Sequence, residues 1–266
     1  MRFEYGICAT IGARKRQEDA ARVLPLHTLD QTRSPQPDDD GTAPMQALAV
    51  VLSDGMGGHA GGAIASELAC EAFLPEIVHG NTPILMRLRE GLSIANTAIA
   101  TYIDADPTYS GMGATLIGAI IDQTGLQWIS VGDSLLYLVR QGEIELLNAD
   151  HSLAPEIDRM AELGHISWTE ALADPRRHYL RSAVTGDDID LIDSPENPRQ
   201  LAPGDVIVLA SDGINSIEPT QIATITTQYQ QSSAADLAER IVKAVVAKAA
   251  PHQDNTTVVI VRALRA

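Results

Sequence analysis

Four aspartates stand where an apolar run meets a turn: Asp54 after LAVVLS, Asp133 after WISVG, Asp212 after VIVLAS, and Asp254 just before TTVVIV. Each is a charge at the rim of an apolar element. If neighbouring strands bring these ends together, the acids cannot all stay ionised in a small volume unless a cation neutralises them. Oxygen ligands with no His or Cys among them select Mg2+ or Mn2+ over zinc. Asp-Gly and Gly-Asp are also ordinary turn chemistry, because a short side chain bonds its own backbone and Gly supplies positive φ. One such aspartate alone reads as a turn. The repetition at strand ends instead reads as ligands converging on one end of a sheet.

Two neighbouring stretches add to the chemistry. Arg14-Lys15-Arg16-Gln17-Glu18-Asp19 is a basic knot followed by two acids. A solvated charged turn would explain it, but a guanidinium is also a planar fork matched to two phosphate oxygens, and Glu18 could orient a metal-bound water. Asp54 to Gly62 (DGMGGHAGG) is dense in glycine, so the backbone there can turn sharply and approach a ligand closely. Read as G-x-G-x-x-A, with Glu76 about twenty residues on, it imitates a dinucleotide-binding turn. Against that rival, Asp54 would face a pyrophosphate with like charge, and the middle of the chain lacks βαβ alternation.

The elements that must position these residues follow from period and length. Ala47 to Leu52 is a continuous apolar run of strand length ending at Ser53-Asp54-Gly55, and a helix follows with Ile64, Leu68 and Ala72 on one face. Leu85, Leu88, Leu92, Ala95, Ile99 and Tyr102 recur at steps of three and four, a second amphipathic helix. Ala114 to Ile121, Leu126 to Val131, Leu135 to Arg140 and Glu143 to Leu147 are short β runs whose tight connections predict antiparallel neighbours. His151 to Tyr179 is polar and weakly helical, a cover over something. Val206 to Ala210 is a strand ending in Ser211-Asp212-Gly213, Ala234 to Ala249 a helix, and Thr256 to Arg262 a closing strand. Gln31 to Pro44, rich in Pro, Asp and Gly, reads as a surface loop. Runs of strands alternating with runs of helices argue for segregated layers, helices on largely antiparallel sheet.

Composition narrows the function classes. With 266 residues, 45% hydrophobic and 20% charged, the chain can bury a sizeable core, which excludes collagen, disorder and small disulfide scaffolds. The balance of 19 Lys+Arg against 35 Asp+Glu leaves a formal charge of -16 and disfavours nucleic acid as a partner. No apolar run reaches the roughly 18–20 residues of a membrane span, and Met1 to Ala13 lacks the basic flank and apolar stretch of a signal peptide, so the cytoplasm is the expected compartment. Cys8 and Cys70, isolated in sequence, are expected to be reduced and buried.

The ordered set GARKRQEDA (Gly12 to Ala20), SDGMGGHAGG (Ser53 to Gly62), GMGATL (Gly111 to Leu116), GDS (Gly132 to Ser134), DHSL (Asp150 to Leu153), ASDG (Ala210 to Gly213) and DNTT (Asp254 to Thr257) resembles the bacterial branch of the metal-dependent protein Ser/Thr phosphatases, the PPM or 2C-type family. The motifs span nearly the whole chain. The resemblance implies an α+β fold, a four-layer α-β-β-α sandwich of two antiparallel sheets flanked by helices, forming a single catalytic domain over residues 1–266 with a flap at about 151–179. It implies two Mn2+ or Mg2+ ions: Asp54 bridging both, the Gly55 carbonyl on one, Asp212 and Asp254 on the other, and Asp133 with Asp212 serving a third, weaker ion. Arg14 takes the place of the family's phosphate-binding arginine, and Glu18 that of its water-mediated metal contact. The implied reaction is hydrolysis of phosphoserine or phosphothreonine by metal-bound hydroxide. Phosphoproteins are then the substrates, with a Ser/Thr kinase opposing a monomeric enzyme that touches neither nucleic acid nor membrane.

Departures from the family pattern are Gln17 for the usual Asn, Ala114 where Thr is common, and Met56 where animal members carry a His that acts as general acid. That acid stays open here; His59 is a candidate that solvation explains as well. A phosphatase fold without turnover, acting as a regulatory adaptor, is the alternative from another class. The complete acidic set speaks against it.

Overall fold

Strands buried on both faces must be apolar at every position, and the central runs of this chain meet that demand. The computed structural model describes residues 1–26, 45–57, 60–79 and 82–265. Its strands are β1 (Arg2–Thr10), β2 (Asp19–Pro25), β3 (Leu48–Met56), β4 (Gly113–Ala114), β5 (Leu116–Asp122), β6 (Gly125–Val131), β7 (Leu135–Arg140), β8 (Glu143–Leu146), β9 (Val206–Ala210) and β10 (Thr256–Leu264). The helices are α1 (Gly61–His79), α2 (Ile84–Ala105), α3 (Ala154–Glu162), α4 (Trp168–Ala173), α5 (Pro219–Gln228) and α6 (Ala234–Ala247). One antiparallel sheet has the order β1-β10-β9-β7-β8, the other β2-β3-β5-β6, with β4 added on β3.

The period of two sorts each strand between two cores. On β3, Val50 and Leu52 face the opposite sheet while Ala49 and Val51 face α1 and α2. On β9, Ile207 and Leu209 join the same inter-sheet core, whereas Val208 and Ala210 pack with Ile241 and Val245 of α6. β10 repeats the pattern, Val259 and Val261 inward, Val258 and Ile260 toward α6. Helices, sheet, sheet and helices therefore stack as four layers, the α-β-β-α sandwich that the motif series implies.

Several expectations need correction. The run ending at Leu52 continues as strand to Met56, because Asp54 pairs with Asp19 and Gly55 with Ala114. The connection Gly132-Asp133-Ser134 does not join neighbours in one sheet: β6 pairs with β5 and β7 with β9, so the turn carries the chain from one sheet to the other. Gly132 at φ +99° permits that crossing. On α1 the deeply buried positions are Ala65, Ala69, Phe73 and Ile77; Ile64, Leu68 and Ala72 lie on its half-buried flank. Phe73 packs so closely on β5 that a Cβ at Gly118 would stand 2.0 Å from its ring. Ala114 to Ile121 is broken at Thr115, and α5, β1 and β2 have no counterpart in the periodic reading. Cys70 is buried but Cys8 is only half-buried; both thiols are free. The loop expected at 31–44 lies outside the described residues.

The segment 151–179 is more helical than its composition suggests. Ser167 and Glu170 form a reciprocal capping box at the start of α4, and Ile157, Ala161 and Ala171 make a small core of their own. Arg177 clamps Asp158 across the flap, and its base is pinched where Leu153 N–H donates to Tyr179 O at 2.9 Å and Arg181 N–H to His151 O at 2.8 Å.

Candidate active site

Strand ends from both sheets open on one cleft of about 850 Å3, and Arg14, Glu18, Asp54, Gly55, Asp133, Asp212 and Asp254 all line it. Asp54 reaches it from β3, Asp133 from the sheet-crossing turn, Asp212 from the 3-10 turn after β9, and Asp254 from the loop before β10. Arg14 and Glu18 come from the β1–β2 loop.

Polar side chains to which the motifs assign no role hold these loops in place. Thr115 accepts the Asp54 N–H on its hydroxyl at 2.9 Å and donates its own N–H to Asp54 O at 2.8 Å. The same hydroxyl shares a 2.8 Å hydrogen bond with Ser134, tying β3 to the turn that carries Asp133. Asn255 donates to Ile11 O and Arg16 O, both at 2.9 Å, and accepts the Glu18 N–H at 2.8 Å. It thus fastens the Arg14–Glu18 loop to Asp254. Asp19, buried beneath the cleft, accepts from the Ser211 hydroxyl at 2.7 Å. Asn255, Asp19 and Thr115 were visible in the sequence as members of DNTT, GARKRQEDA and GMGATL, but nothing in those strings says which backbone groups they hold.

The electrostatics are those of acids crowded in low dielectric. Asp54 is raised well above the usual carboxylate range, by burial first and then by Asp19, Asp212, Asp133 and Asp254. Asp133 is pushed up to about 7 and Asp19 to about 6, each mainly by burial. Asp212 is also raised, by burial and by Asp254, against the pull of His178, Arg14 and a hydrogen bond with Asp54. Glu18 is raised by burial, with Arg14 opposing. Arg14 pairs with Asp254.

This donor set fits a hard dication. It is all oxygen, its acids resist joint ionisation, and Asp212 Oδ1 and Asp19 Oδ1 are buried acceptors with no partner among the described residues. The oxygens ring the cleft without meeting at one point: among the described residues no three His, Cys, Asp or Glu side chains form a group that could hold an ion as placed. Met56 lines the cleft, while His59 lies outside the described residues. The dinucleotide reading is overturned, since β3 is embedded in antiparallel sheet and no βαβ unit surrounds the Gly-rich loop among the described residues.

The class this chain falls in is an antiparallel two-sheet sandwich with an acidic cleft at its strand ends, and comparison with known proteins resolves it further. The family profile described as Protein phosphatase 2C matches residues 31–249. The chain is 32% identical over 216 residues to the serine/threonine protein phosphatase PstP of Mycobacterium tuberculosis, covering 80% of this chain and 40% of that protein. It thus spans less than half the length of that relative. It is 33% identical over 218 residues to the protein phosphatase PhpP of Streptococcus pneumoniae, covering 80% of this chain and 84% of that one. A crystal structure of the PstP catalytic domain in complex with two manganese ions superposes with a TM-score of 0.74 at 26% identity, covering 99% of each chain. The chain belongs to the protein phosphatase 2C family.

Proposed function

We propose that this chain, as a single catalytic unit over residues 1–266, hydrolyses phosphoserine and phosphothreonine in proteins. The observation that carries the reading is the convergence of Asp54, Asp133, Asp212 and Asp254 beside Arg14 in one cleft. Asp54 with the Gly55 carbonyl, and Asp212 with Asp254, would hold two Mn2+ or Mg2+ ions, and Asp133 with Asp212 a third. Such ions supply the positive charge that lets crowded carboxylates ionise together and acidify a bound water toward neutral pH.

The chain's own residues do the rest. Arg14, 54% exposed at its side chain, can turn from Asp254 to the phosphoryl oxygens, which its planar fork grips in two places. Glu18, fixed through its backbone by Asn255, accepts a hydrogen bond from the attacking water and orients it. The serine or threonine alkoxide leaves with a proton from solvent, for which no side chain is assigned. A monomer acting in the cytoplasm against a Ser/Thr kinase is the setting we propose. Among the described residues no helix is long and apolar enough to cross a membrane.

The test is phosphate release from p-nitrophenyl phosphate and phosphothreonine peptides with Mn2+, abolished by EDTA and by Asp54→Ala. Turnover that survives both removes the reading. Stabilisation by Mn2+ with no phosphopeptide ever cleaved would favour the adaptor.

A further inference from the structure

The proposed reaction leaves His151, the histidine of DHSL, without a task. It is 6% exposed and sits between the turn that carries Asp133 and the base of the flap. Its backbone N–H donates to Gly132 O at 3.1 Å, and its imidazole Nδ1 accepts the Gly132 N–H at 3.3 Å. His151 thus satisfies both backbone polar groups of the residue immediately before Asp133. From the other side Arg181 N–H donates to His151 O at 2.8 Å, and Ser152 pairs with Leu180 as an antiparallel bridge. The flap base therefore fixes the histidine while the histidine fixes the turn.

That turn needs an outside hold. Gly132 is at φ +99°, and a Cβ there would stand 2.6 Å from Thr115 Cγ2, so the position is restricted to glycine. Its two backbone groups are the handles by which it can be gripped. Ser134, on the far side of Asp133, is held by Thr115 Oγ1 at 2.8 Å and by Asn148 Nδ2, which donates to Ser134 O at 2.9 Å. Asp133 lies between these two anchored neighbours and lines the cleft. Because Nδ1 accepts, a neutral ring carries its proton on Nε2. Burial lowers the pKa of the ring below the ordinary imidazole value, against the pull of Asp193 and Asp150 and with Arg181 acting in the same direction as burial. The ring is then neutral near pH 7 and Nδ1 keeps its lone pair.

We propose that His151 is a positioning residue for Asp133: through Gly132 it fixes the direction in which the carboxylate is offered, and so sets the affinity of the ion that Asp133 with Asp212 would hold. The proposal deepens the phosphatase reading of the cleft and rests on it. Without the Nδ1 acceptor the buried Gly132 N–H loses its partner and the glycine can rotate, which misaims the carboxylate next to it.

Mn2+ binding to the full chain, read by electron paramagnetic resonance of the free ion, tests this without requiring turnover. Asp133→Asn identifies the ion in question as the part of the isotherm that it weakens. His151→Gln, whose amide oxygen lies one bond further out than Nδ1, is expected to weaken that same ion by about 10-fold and leave the others within about 2-fold. His151→Asn, whose Oδ1 stands on Cγ as Nδ1 does, is expected to bind it within about 3-fold of the unaltered chain. In the Asp133→Asn background His151→Gln is expected to change nothing further, since a residue that acts through Asp133 has nothing left to act on. His151→Leu, of similar bulk and without an acceptor, takes the place of the Gln variant if that one does not fold. Losses shared by every ion, equal losses for Gln and Asn, or losses that add to those of Asp133→Asn overturn the proposal, as does an isotherm that Asp133→Asn leaves unchanged. Ion binding that follows these expectations in a chain that releases no phosphate from phosphothreonine peptides supports the proposal and sinks the catalytic reading instead.

Discussion

The carboxylates of the flap and those of the cleft are the same chemical group in opposite circumstances. On the flap, Asp174 is held down to about 2 by the Arg176 side chain and backbone, and Asp158 is clamped by Arg177. In the cleft, Asp133 rises to about 7 and Asp19 to about 6, and Asp54 lies well above the usual range. The flap acids are half-buried and locally paired, so they support their own segment. The cleft acids are buried near one another with Arg14 as the paired cation, which destabilises the fold there and readies the site for added positive charge. An acid cluster of this kind is evidence of use, because stability alone would not assemble it.

The largest break in this comparison is expected in turnover. Asp54→Asn or Asp212→Asn should lower kcat/KM on p-nitrophenyl phosphate by about 10^3-fold or more, the scale seen when a group that stabilises developing charge is removed. Asp158→Asn on the flap should change it only a few-fold. Comparable losses at both places would show that the cleft acids act merely as structure.

Ion binding comes next. A dication that neutralises the cluster stabilises the native state by about 2.7 kcal/mol at a hundredfold excess over Kd, so saturating Mn2+ should raise Tm by roughly 5–10 °C, reversibly with EDTA. Variants at the flap acids should keep that shift and Asp54→Asn should lose most of it. No Mn2+ effect on the unaltered chain would contradict the neutralisation argument.

How much of this was legible in the sequence depends on what each residue's neighbours are. The runs at β3, β9 and β10 could be read because strands buried on both faces leave no polar gap, and the acids at their ends stood out against them. β1 and β2 were illegible since RFEYGICAT and DAARVLP mix charges, Gly and small residues, and their pairing with β10 and β3 is set across the fold. The Gly132-Asp133-Ser134 turn has the composition of a hairpin, and only the two-sheet packing makes it a crossing. Of the site, the ligating types were visible, whereas Thr115 and Asn255 do their work through backbone groups 61 and 237 residues away. Asp187, Asp188 and Asp190 reach the cleft on a loop that Asn96 of α2 anchors through Gly186 N–H and Asp187 O, which nothing local announces.

Acidity sharpens the contrast by a smaller amount. With EDTA present, Asp19 and Asp133 hold protons in the folded chain up to about 6 and about 7, while in the unfolded chain they release them near 3.8. Between those limits the folded state binds more protons, so stability falls as pH rises through about 4 to 7. The flap acid has the reverse sign: Asp174 contributes above its unfolded value and loses that contribution only as pH falls toward about 2. The Tm in EDTA should therefore be higher at pH 5.5 than at 7.5, and saturating Mn2+ should flatten or invert the slope, because ions compete with protons for the same oxygens. Asp54→Asn should raise the Tm in EDTA at pH 7.5, having removed a buried acid that its surroundings hold well above the usual carboxylate range.

The smallest effect belongs to the flap clamp. Arg177 and Asp158 are 19% and 33% exposed, so solvent screens the pair only in part, and its contribution to global stability should be on the order of 1 kcal/mol. Arg177→Ala should accordingly shift Tm by no more than about 3 °C. The local consequence is larger than the global one, since the pair spans from α3 to a 3-10 turn at Pro175–His178 and, among the described residues, the flap's own core is Ile157, Ala161 and Ala171 with a few flanking contacts. Opening that small unit alone exposes backbone in 154–173 without unfolding the sandwich. Limited proteolysis should then cut Arg177→Ala within that span several-fold faster than the unaltered chain, with the remaining fragments still resistant. A flap that resists protease equally in both chains would place its stability in its base contacts, Leu153 to Tyr179 and His151 to Arg181, and not in the paired charges.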